Sequence, residues 1–288
     1  MGPFQLDGTA VLIALAHLVL GIVVLILAKL AKDWLSPYST DRELTEKDNP
    51  AFGLALAGYY GAVVLIYIGA VRLTLPDLST RALAGAFGAD LGWSVAGIAA
   101  LAFSRWLMNL SLLRGIRFSE TIVSGRNLAA GAVECGVYLA SGIVVASVVR
   151  QPGGTIATVL VFFLLSEGVL LLFGRLYERL AGYHVTSEIR DGNLAAGVAL
   201  GLTLTALSLL IVKASSGEFV DWQTNLSYFA FDATAGFILL LILRWLTDLA
   251  LLPNARIAEE VARDRNVNAG LIEGVIAVGI AALILFVF

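Results

Sequence analysis

Three glutamates lie inside long apolar stretches of this sequence, where an ionised side chain is costly. Glu134 and Glu273 fall about 10 Å inside the start of their stretches at 1.5 Å per residue, and Glu167 falls near the middle of another. An ionised side chain at bilayer depth costs at least about 2.5 kcal/mol on insertion scales. Such an acid is tolerated when it is paired, faces protein or water, or takes up a proton. These residues therefore predict either cation or proton binding or structural hydrogen bonds between helices.

The positions of these acids favour a specialised role. Glu134 and Glu273 each stand seven residues after an Asn, in two halves of the chain that match each other. If their helices face a common axis, the two carboxylates approach and share a proton or a cation. Glu167 stands eight residues before the basic residue near the end of its stretch. Three other stretches carry Gly at the same distance before their own basic residue. Those glycines are Gly21, Gly97 and Gly236.

Two further titratable residues lie toward the other end of the apolar stretches. His17 and Asp232 hold equivalent positions, each four residues before a Gly, and Asp90 lies nearby in its own stretch. One interpretation is a buried histidine with satisfied hydrogen bonds and an interfacial acid. The other is an outer vestibule that attracts cations, in which His17 is a pH-sensitive element.

The composition places these residues in a membrane protein. Of the 288 residues 59% are apolar and 14% are charged, whereas soluble domains carry roughly a quarter charged residues. This excludes a disordered chain, a nucleic-acid binder and an ordinary cytosolic enzyme. One cysteine excludes a disulfide framework, and two histidines are too few for a His/Cys metal site. No metal and no cofactor is expected.

Eight stretches are long enough to cross a bilayer, which takes about 20 mostly apolar residues. They are residues 9–31, 50–71, 89–110, 128–149, 155–177, 194–212, 227–251 and 267–288. The connections after the first, third, fifth and seventh stretch are long and charged. Most of the 19 Lys and Arg residues lie on the membrane side that carries these long connections. Only Arg72, Arg81, Arg150 and Lys213 lie on the opposite side. The positive-inside rule therefore places the long loops inside and both termini outside.

The long loops repeat a common pattern. Each ends in an Asn that opens the next span, followed by a Gly four residues later and preceded by an acid. The residues are Asn49, Asn127, Asn193 and Asn266; Gly53, Gly131, Gly197 and Gly270; and Glu43, Glu120, Glu188 and Glu259. The Asn is a favoured helix N-cap and the Gly continues as a helix-packing seam. The alternative is a ring of Asn and acid residues around an inner mouth.

The four hairpins pair off into two halves. The first and third share Tyr-x4-Glu, and the second and fourth share Arg-Trp-Leu and the Glu seven residues after the Asn. The sequence therefore predicts two four-span units, residues 1–150 and 151–288, that point the same way about a pseudo-twofold axis along the membrane normal. The expected fold is an all-α polytopic bundle of eight transmembrane helices.

The stretch LSPYSTDRELTEKDNPAFGLALAG and the repeated Glu…Asn-x-Ala-Ala-Gly resemble the YjfL family of bacterial inner-membrane proteins, which is catalogued as domain of unknown function 350. One domain of that family has four spans, so the resemblance covers the whole chain as two fused copies. It implies a multi-pass protein of a bacterial inner membrane. It brings no established activity.

Two functions from different classes follow. The first is a channel or transporter for a small cation or a proton, with a path near Glu134 and Glu273 that includes Glu167, His17 and Asp232. The second is a membrane scaffold that recruits a cytosolic protein through its charged inner loops, with the buried acids as structural links. No P-loop, HExxH or GxSxG motif occurs, so no catalytic residue is predicted. The lipid bilayer is one partner, and a homo-oligomer is compatible with the small-residue seams.

Overall fold

The computed structural model describes residues 8–71, 79–112, 116–151, 153, 155–215, 217–251 and 257–287, with the backbone alone at 118, 119 and 247–251. Eight of its helices are long and apolar enough to span a membrane. They are α1 (Gly8–Leu35), α3 (Pro50–Ala70), α4 (Thr80–Ser111), α5 (Leu128–Val149), α6 (Ile156–Leu180), α8 (Leu194–Ser215), α9 (Trp222–Leu251) and α11 (Val267–Val287). Short helices α2 (Thr40–Thr45), α7 (Val185–Arg190) and α10 (Ile257–Ala262) and a π-helical turn (Phe118–Ser124) occupy the long loops.

The predicted all-α fold with eight spans is confirmed, although some helices extend beyond the apolar stretches. α4 begins at Thr80 rather than at residue 89, because the Ser79 hydroxyl caps it by accepting a hydrogen bond from the Ala82 N–H at 3.3 Å. α1 continues to Leu35 through Lys29 and Lys32. Arg72, which entered the charge comparison, lies outside the described residues.

The eight long helices form two layers. The front row consists of the helices that open with an Asn, in the order α3, α5, α8, α11, each packed along the next. The back row consists of α1, α4, α6 and α9. α4 packs on α3 and α5, α6 on α5 and α8, and α9 on α8 and α11, while α1 packs on α3 and α4. We call the side that carries the four long loops the loop side.

Glycine sets the close spacing within the front row. A Cβ atom added to Gly136 on α5 would lie 2.3 Å from the Cα of Gly201 on α8. One added to Gly58 on α3 would lie 2.5 Å from the Cα of Cys135 on α5. The backbones therefore touch directly, as is typical of membrane helices that associate through small residues.

The four repeated asparagines lie in a row on the loop side rather than in a ring. The side-chain oxygen of Asn193 caps its own helix by accepting from the Ala196 N–H at 3.4 Å. Its side-chain amide donates to the Val261 carbonyl in the following loop at 2.8 Å. Asn49 and Asn127 reach forward in the same way, to the Ile122 and Ile189 carbonyls at 3.0 and 2.8 Å. Asn49, Asn127 and Asn193 therefore each fasten one hairpin to the next.

We expect Asn193→Ala to lower the free energy of unfolding by about 2 kcal/mol. The variant loses an N-cap and leaves buried backbone groups without partners, and such losses cost about 1–3 kcal/mol. Equilibrium unfolding in mixed micelles measures the change. Asn266→Ala is the matched control, because the Asn266 amide donates to Glu260 of its own loop. An equal loss in the two variants would contradict the role assigned to the contact between hairpins.

Candidate functional site

Glu134 and Glu273 each form a buried ion pair in their own half of the molecule. Glu134 on α5 accepts a hydrogen bond from Arg105 on α4, and it is 3% exposed. Glu273 on α11 is paired with Arg244 on α9 and is also 3% exposed. The two pairs have the same design, since each joins a front-row helix to the back-row helix that precedes it.

These two acids do not form the shared site that their sequence positions suggested. Helix α8 lies between α5 and α11 in the front row, so the carboxylates of Glu134 and Glu273 belong to separate clusters. Tyr177 completes the second cluster by donating to Glu273 Oε1 at 3.1 Å. In the first cluster Lys32 donates to the Tyr138 hydroxyl at 2.8 Å. Each of the two acids is balanced by an arginine, so the geometry is most directly interpreted as two structural ion pairs.

Glu167 has a different environment. It is fully buried on α6, and the Ser104 hydroxyl of α4 donates to its Oε1 at 2.9 Å. Ser141 of α5 is the second hydroxyl beside this carboxyl. Glu167 Oε2 and Ser141 Oγ are both buried without a hydrogen bond of standard geometry. Among the described residues no cationic side chain forms an ion pair with Glu167.

The other buried acids of the described chain face a basic side chain. Besides the two arginine pairs, Asp90 lies 3.3 Å from the imidazole of His17, and Glu43 accepts from Lys47 at 2.5 Å. Glu167 alone is surrounded by hydroxyls and apolar groups in this part of the molecule. It lies 11 residues from the start of the 25-residue helix α6, about 17 Å at 1.5 Å per residue, which is close to the middle of that helix.

The two serines are exceptions to the repeat, as Glu167 is. Ser104 immediately precedes the basic residue of α4, and Ser141 stands 14 residues after Asn127. The corresponding residues are Ala28, Gly174 and Leu243 for Ser104, and Val63, Leu207 and Ile280 for Ser141. Three departures from the repeat, on three different helices, therefore meet at one carboxyl. Sequence reasoning found the Glu and missed both serines, although aligning the repeats shows all three.

Polar groups connect this carboxyl to the loop side. On α5, Glu134, Tyr138 and Ser141 share one helix face at positions i, i+4 and i+7. On α4, Arg105 follows Ser104 directly, and it reaches Glu134. Polar side chains are thus spaced along this face of α5 from Ser141, beside Glu167, toward the loop-side end of the helix.

His17 and Asp232 lie apart from one another. His17 on α1 meets Asp90 on α4, and both are buried; its Nδ1 lies 2.8 Å from the Ile13 carbonyl oxygen. Asp232 is half-buried on α9 in the other half of the chain. Of the three residues considered for an outer vestibule, His17 and Asp90 are in contact and Asp232 lies on a different helix, α9.

The four loop acids divide into two kinds. Glu43 is buried and its Oε2 accepts from the Asn49 amide at 3.4 Å, and Glu188 accepts from the Asn193 amide at 2.9 Å. These two acids fasten the loops of the first and third hairpins. Glu120 and Glu259 are exposed and pair with arginines of their own loops, Arg117 at 3.0 Å and Arg263 at 3.5 Å.

Half-buried tyrosines accompany the buried Glu43 and the half-buried Glu188. Tyr38 and Tyr183 precede Glu43 and Glu188 in the first and third loops. Burial raises the pKa of the Tyr38 and Tyr183 phenols above their ordinary value. No group of three or more His, Cys, Asp or Glu residues that suits a metal ion occurs among the described residues.

Comparison with known proteins adds a family to this geometry. The family described as Domain of Unknown Function (DUF350) matches residues 5–149 and again residues 153–288. A curated relative, the UPF0719 transmembrane protein of Aquifex aeolicus (strain VF5), is 27% identical over 175 residues. That region is 58% of this chain, and it spans 63% of the relative's length. No solved structure matches the chain.

Proposed function

The chain belongs to the DUF350 family, of which it contains two copies, and from that premise we propose that it binds and moves a small cation, in the first place a proton, at Glu167. The observation that carries the proposal is the convergence of Glu167, Ser104 and Ser141 at one buried point. All three depart from the repeat, and no counter-charge accompanies the carboxyl among the described residues.

The chemistry of the three groups fits a proton or a small hard cation. An isolated ionised carboxylate in an apolar interior is strongly disfavoured, so the group takes up a proton or holds a cation. Carboxylate and hydroxyl oxygens are hard ligands, which suit hard cations better than soft metals. Because Glu167 has no arginine to satisfy it, its charge state is free to change during a transport cycle, unlike that of Glu134 or Glu273.

The path to the loop side passes the polar face of α5. The cation leaves Glu167 past Ser104 and Ser141 and continues along this face of α5 to the loop-side surface, beside the Arg105–Glu134 ion pair, which stays closed. On the opposite side we place the entry near the His17–Asp90 pair in the first half of the chain and Asp232 in the second. We place the chain in a bacterial inner membrane with its loop side in the cytoplasm, which the distribution of Lys and Arg supports.

Proteoliposomes loaded with a pH-sensitive dye test this proposal. We expect the wild-type protein to dissipate an imposed pH gradient, or to carry Na⁺ when a Na⁺ gradient replaces the proton gradient. We expect Glu167→Gln to lower the rate of cation flux by at least about tenfold. Gln keeps the shape of the side chain and removes the exchangeable charge. Glu120→Gln makes the same chemical change on an exposed loop residue and should keep the wild-type rate.

Two results would contradict the proposal. Full flux in folded Glu167→Gln would show that the carboxyl is not on the path. No flux of either cation in intact wild-type protein would favour the scaffold, and the exposed loop acids Glu120 and Glu259 would then be the residues to reverse in charge.

Ser104→Ala with Ser141→Ala should reduce flux, whereas the buried Ser208→Ala should not.

A further inference from the structure

A cavity of about 600 Å³ lies on the loop side, where the end of α6 meets the third long loop. Its lining includes Arg175 and Arg179 of α6 and His184, which directly precedes the loop helix α7. The volume falls within the range of about 300–1,000 Å³ that is typical of small-molecule sites. The cavity is separate from Glu167, which stands eight residues, about 12 Å, before Arg175 on the same helix.

Arg175 is one of four basic residues that hold equivalent positions near the loop-side ends of the back-row helices. The other three each form an ion pair with at least one acid. These pairs are Lys29 with Asp33 and Asp41, Arg105 with Glu134, and Arg244 with Glu273. Arg175 instead donates to the Ser111 backbone carbonyl at 3.0 Å, and it forms no ion pair with a residue that the structure describes. Its positive charge is therefore not balanced within that part of the chain.

The other repeats show which acids are missing at the cavity. Asp33 stands four residues after the basic residue of α1, and Asp41 stands three residues after the tyrosine of the first loop. In the third repeat these two positions hold Arg179 and Thr186. The front-row position that carries the paired Glu in the second and fourth repeats holds Leu200. Every acid that balances an equivalent basic residue is thus replaced here by a neutral or a positive side chain.

These replacements concentrate positive charge at the cavity. Arg175 and Arg179 lie one turn apart on one helix face, and like charges at this spacing repel each other. Glu178 is the acid of the lining, and its carboxylate accepts a hydrogen bond from the Thr186 hydroxyl rather than from either arginine. A phosphate group between the two guanidinium groups relieves their repulsion and accepts from their planar arrays of N–H donors. The His184 imidazole offers a further N–H donor.

The surface of α6 that leads to the arginines is apolar. Leu172 stands three residues before Arg175 on the same helix face and is 53% exposed, so this face contacts lipid acyl chains. A lipid that lies along this face brings its headgroup to the level of the two arginines. Basic pockets on the cytoplasmic side of membrane proteins bind phosphorylated headgroups in this way.

We infer that this cavity binds the phosphate group of an anionic ligand, with Arg175 and Arg179 as its charged contacts and His184 as an additional donor. Two sources offer this group, the headgroup of an anionic lipid in the loop-side leaflet and phosphate dissolved on that side. The site does not depend on cation movement at Glu167, since its occupancy is measured as binding and not as flux.

Calorimetric titration of the full chain in micelles of a neutral detergent tests the site. The probes are dioctanoyl-phosphatidic acid, inorganic phosphate, and dioctanoylglycerol, which has the same acyl chains and no phosphate. We expect the wild type to bind the phosphatidic acid at one site and not to bind dioctanoylglycerol. Arg175→Gln with Arg179→Gln should weaken this binding by at least about tenfold, because two charge-assisted contacts are lost. Arg190→Gln removes the same charge from an exposed position of the same loop and should bind as the wild type does.

A second variant keeps Arg175 and its bond to Ser111. Arg179→Asp places an acid four residues after the basic residue, as Asp33 stands after Lys29 in the first repeat. Because Arg179 is exposed, the thermal unfolding temperature should not change. We expect this variant to lose binding of the phosphatidic acid as completely as the double variant does.

The probes also identify the source of the phosphate. Inorganic phosphate that competes with the phosphatidic acid supports the site with a soluble ligand, and binding of the phosphatidic acid alone supports it with a lipid headgroup. Equal binding of dioctanoylglycerol, an equal loss in Arg190→Gln, or wild-type binding by folded Arg179→Asp would overturn the inference. The absence of saturable binding of both phosphate probes to the wild type would overturn it as well.

Discussion

Replacing Gly136 by Val is expected to prevent the front row from assembling. A Cβ at this position would lie 2.3 Å from both the Cα and the carbonyl oxygen of Gly201, and these are backbone atoms that no rotamer change can move. The α5 and α8 axes would have to separate, and the contacts along both helices would loosen together. Overpacking a core costs about 1–3 kcal/mol and occasionally more. We expect a loss of at least about 3 kcal/mol, because the clash is with backbone at the centre of the array.

The yield of monodisperse protein in mild detergent and its thermal unfolding temperature measure this effect. Gly168→Val is the matched control, since Gly168 also lies within a membrane helix but has no atom within 4 Å of an added Cβ. We expect Gly168→Val to behave like the wild type. Equal stability of the two variants would mean that α5 and α8 do not touch as described.

The second large effect is expected from Arg244→Gln. This change leaves Glu273 buried with the Tyr177 hydroxyl as its remaining partner at this site, and removing one member of a buried ion pair costs about 3–5 kcal/mol. Changing both residues, Arg244→Gln with Glu273→Gln, should recover most of that loss, because no charge is then left unpaired. Equilibrium unfolding of the wild type, both single variants and the double variant gives the coupling energy directly.

The first half of the molecule provides the comparison. Arg105→Gln should cost less than Arg244→Gln, because Lys32 lies close enough to interact with Glu134 and offsets part of the unpaired charge. A double variant in the second half that is no more stable than Arg244→Gln alone would contradict the structural role given to Glu273. Proton or Na⁺ flux should persist in the folded Glu273→Gln protein.

The elements of this fold could be predicted from the sequence because each follows from a local property. Hydropathy locates the eight spans, and the Asn that opens each second helix of a hairpin is a cap whose chemistry needs no distant partner. The arrangement of the hairpins could not be predicted in the same way. Four matched hairpins with the same loops can pack either around an axis or side by side. The backbone contacts at Gly136 and Gly58 determine which of the two arrangements forms.

The candidate site shows the same division. Glu167 could be recognised because a carboxyl inside an apolar stretch is costly wherever the helix packs. Its partners come from α4 and α5, and only the packing of α6 against them brings Ser104 and Ser141 to the carboxyl. The ion pairs of Arg105 with Glu134 and of Arg244 with Glu273 likewise join two helices, so they depend on packing that no local sequence pattern specifies.

The forward reach of Asn49, Asn127 and Asn193 has a consequence for synthesis. The side chain of Asn49 bonds to a carbonyl 73 residues later in the chain, and that of Asn193 to one 68 residues later. A hairpin that has just entered the bilayer therefore has only the acceptors of its own loop, such as Glu43 or Glu188, until the following hairpin leaves the ribosome. We expect folding to proceed from the N-terminus one hairpin at a time, each arrival stabilising its predecessor, with neighbour-to-neighbour cooperativity as in repeat proteins. A pause in translation between hairpins would expose an unfinished edge to the membrane quality-control machinery.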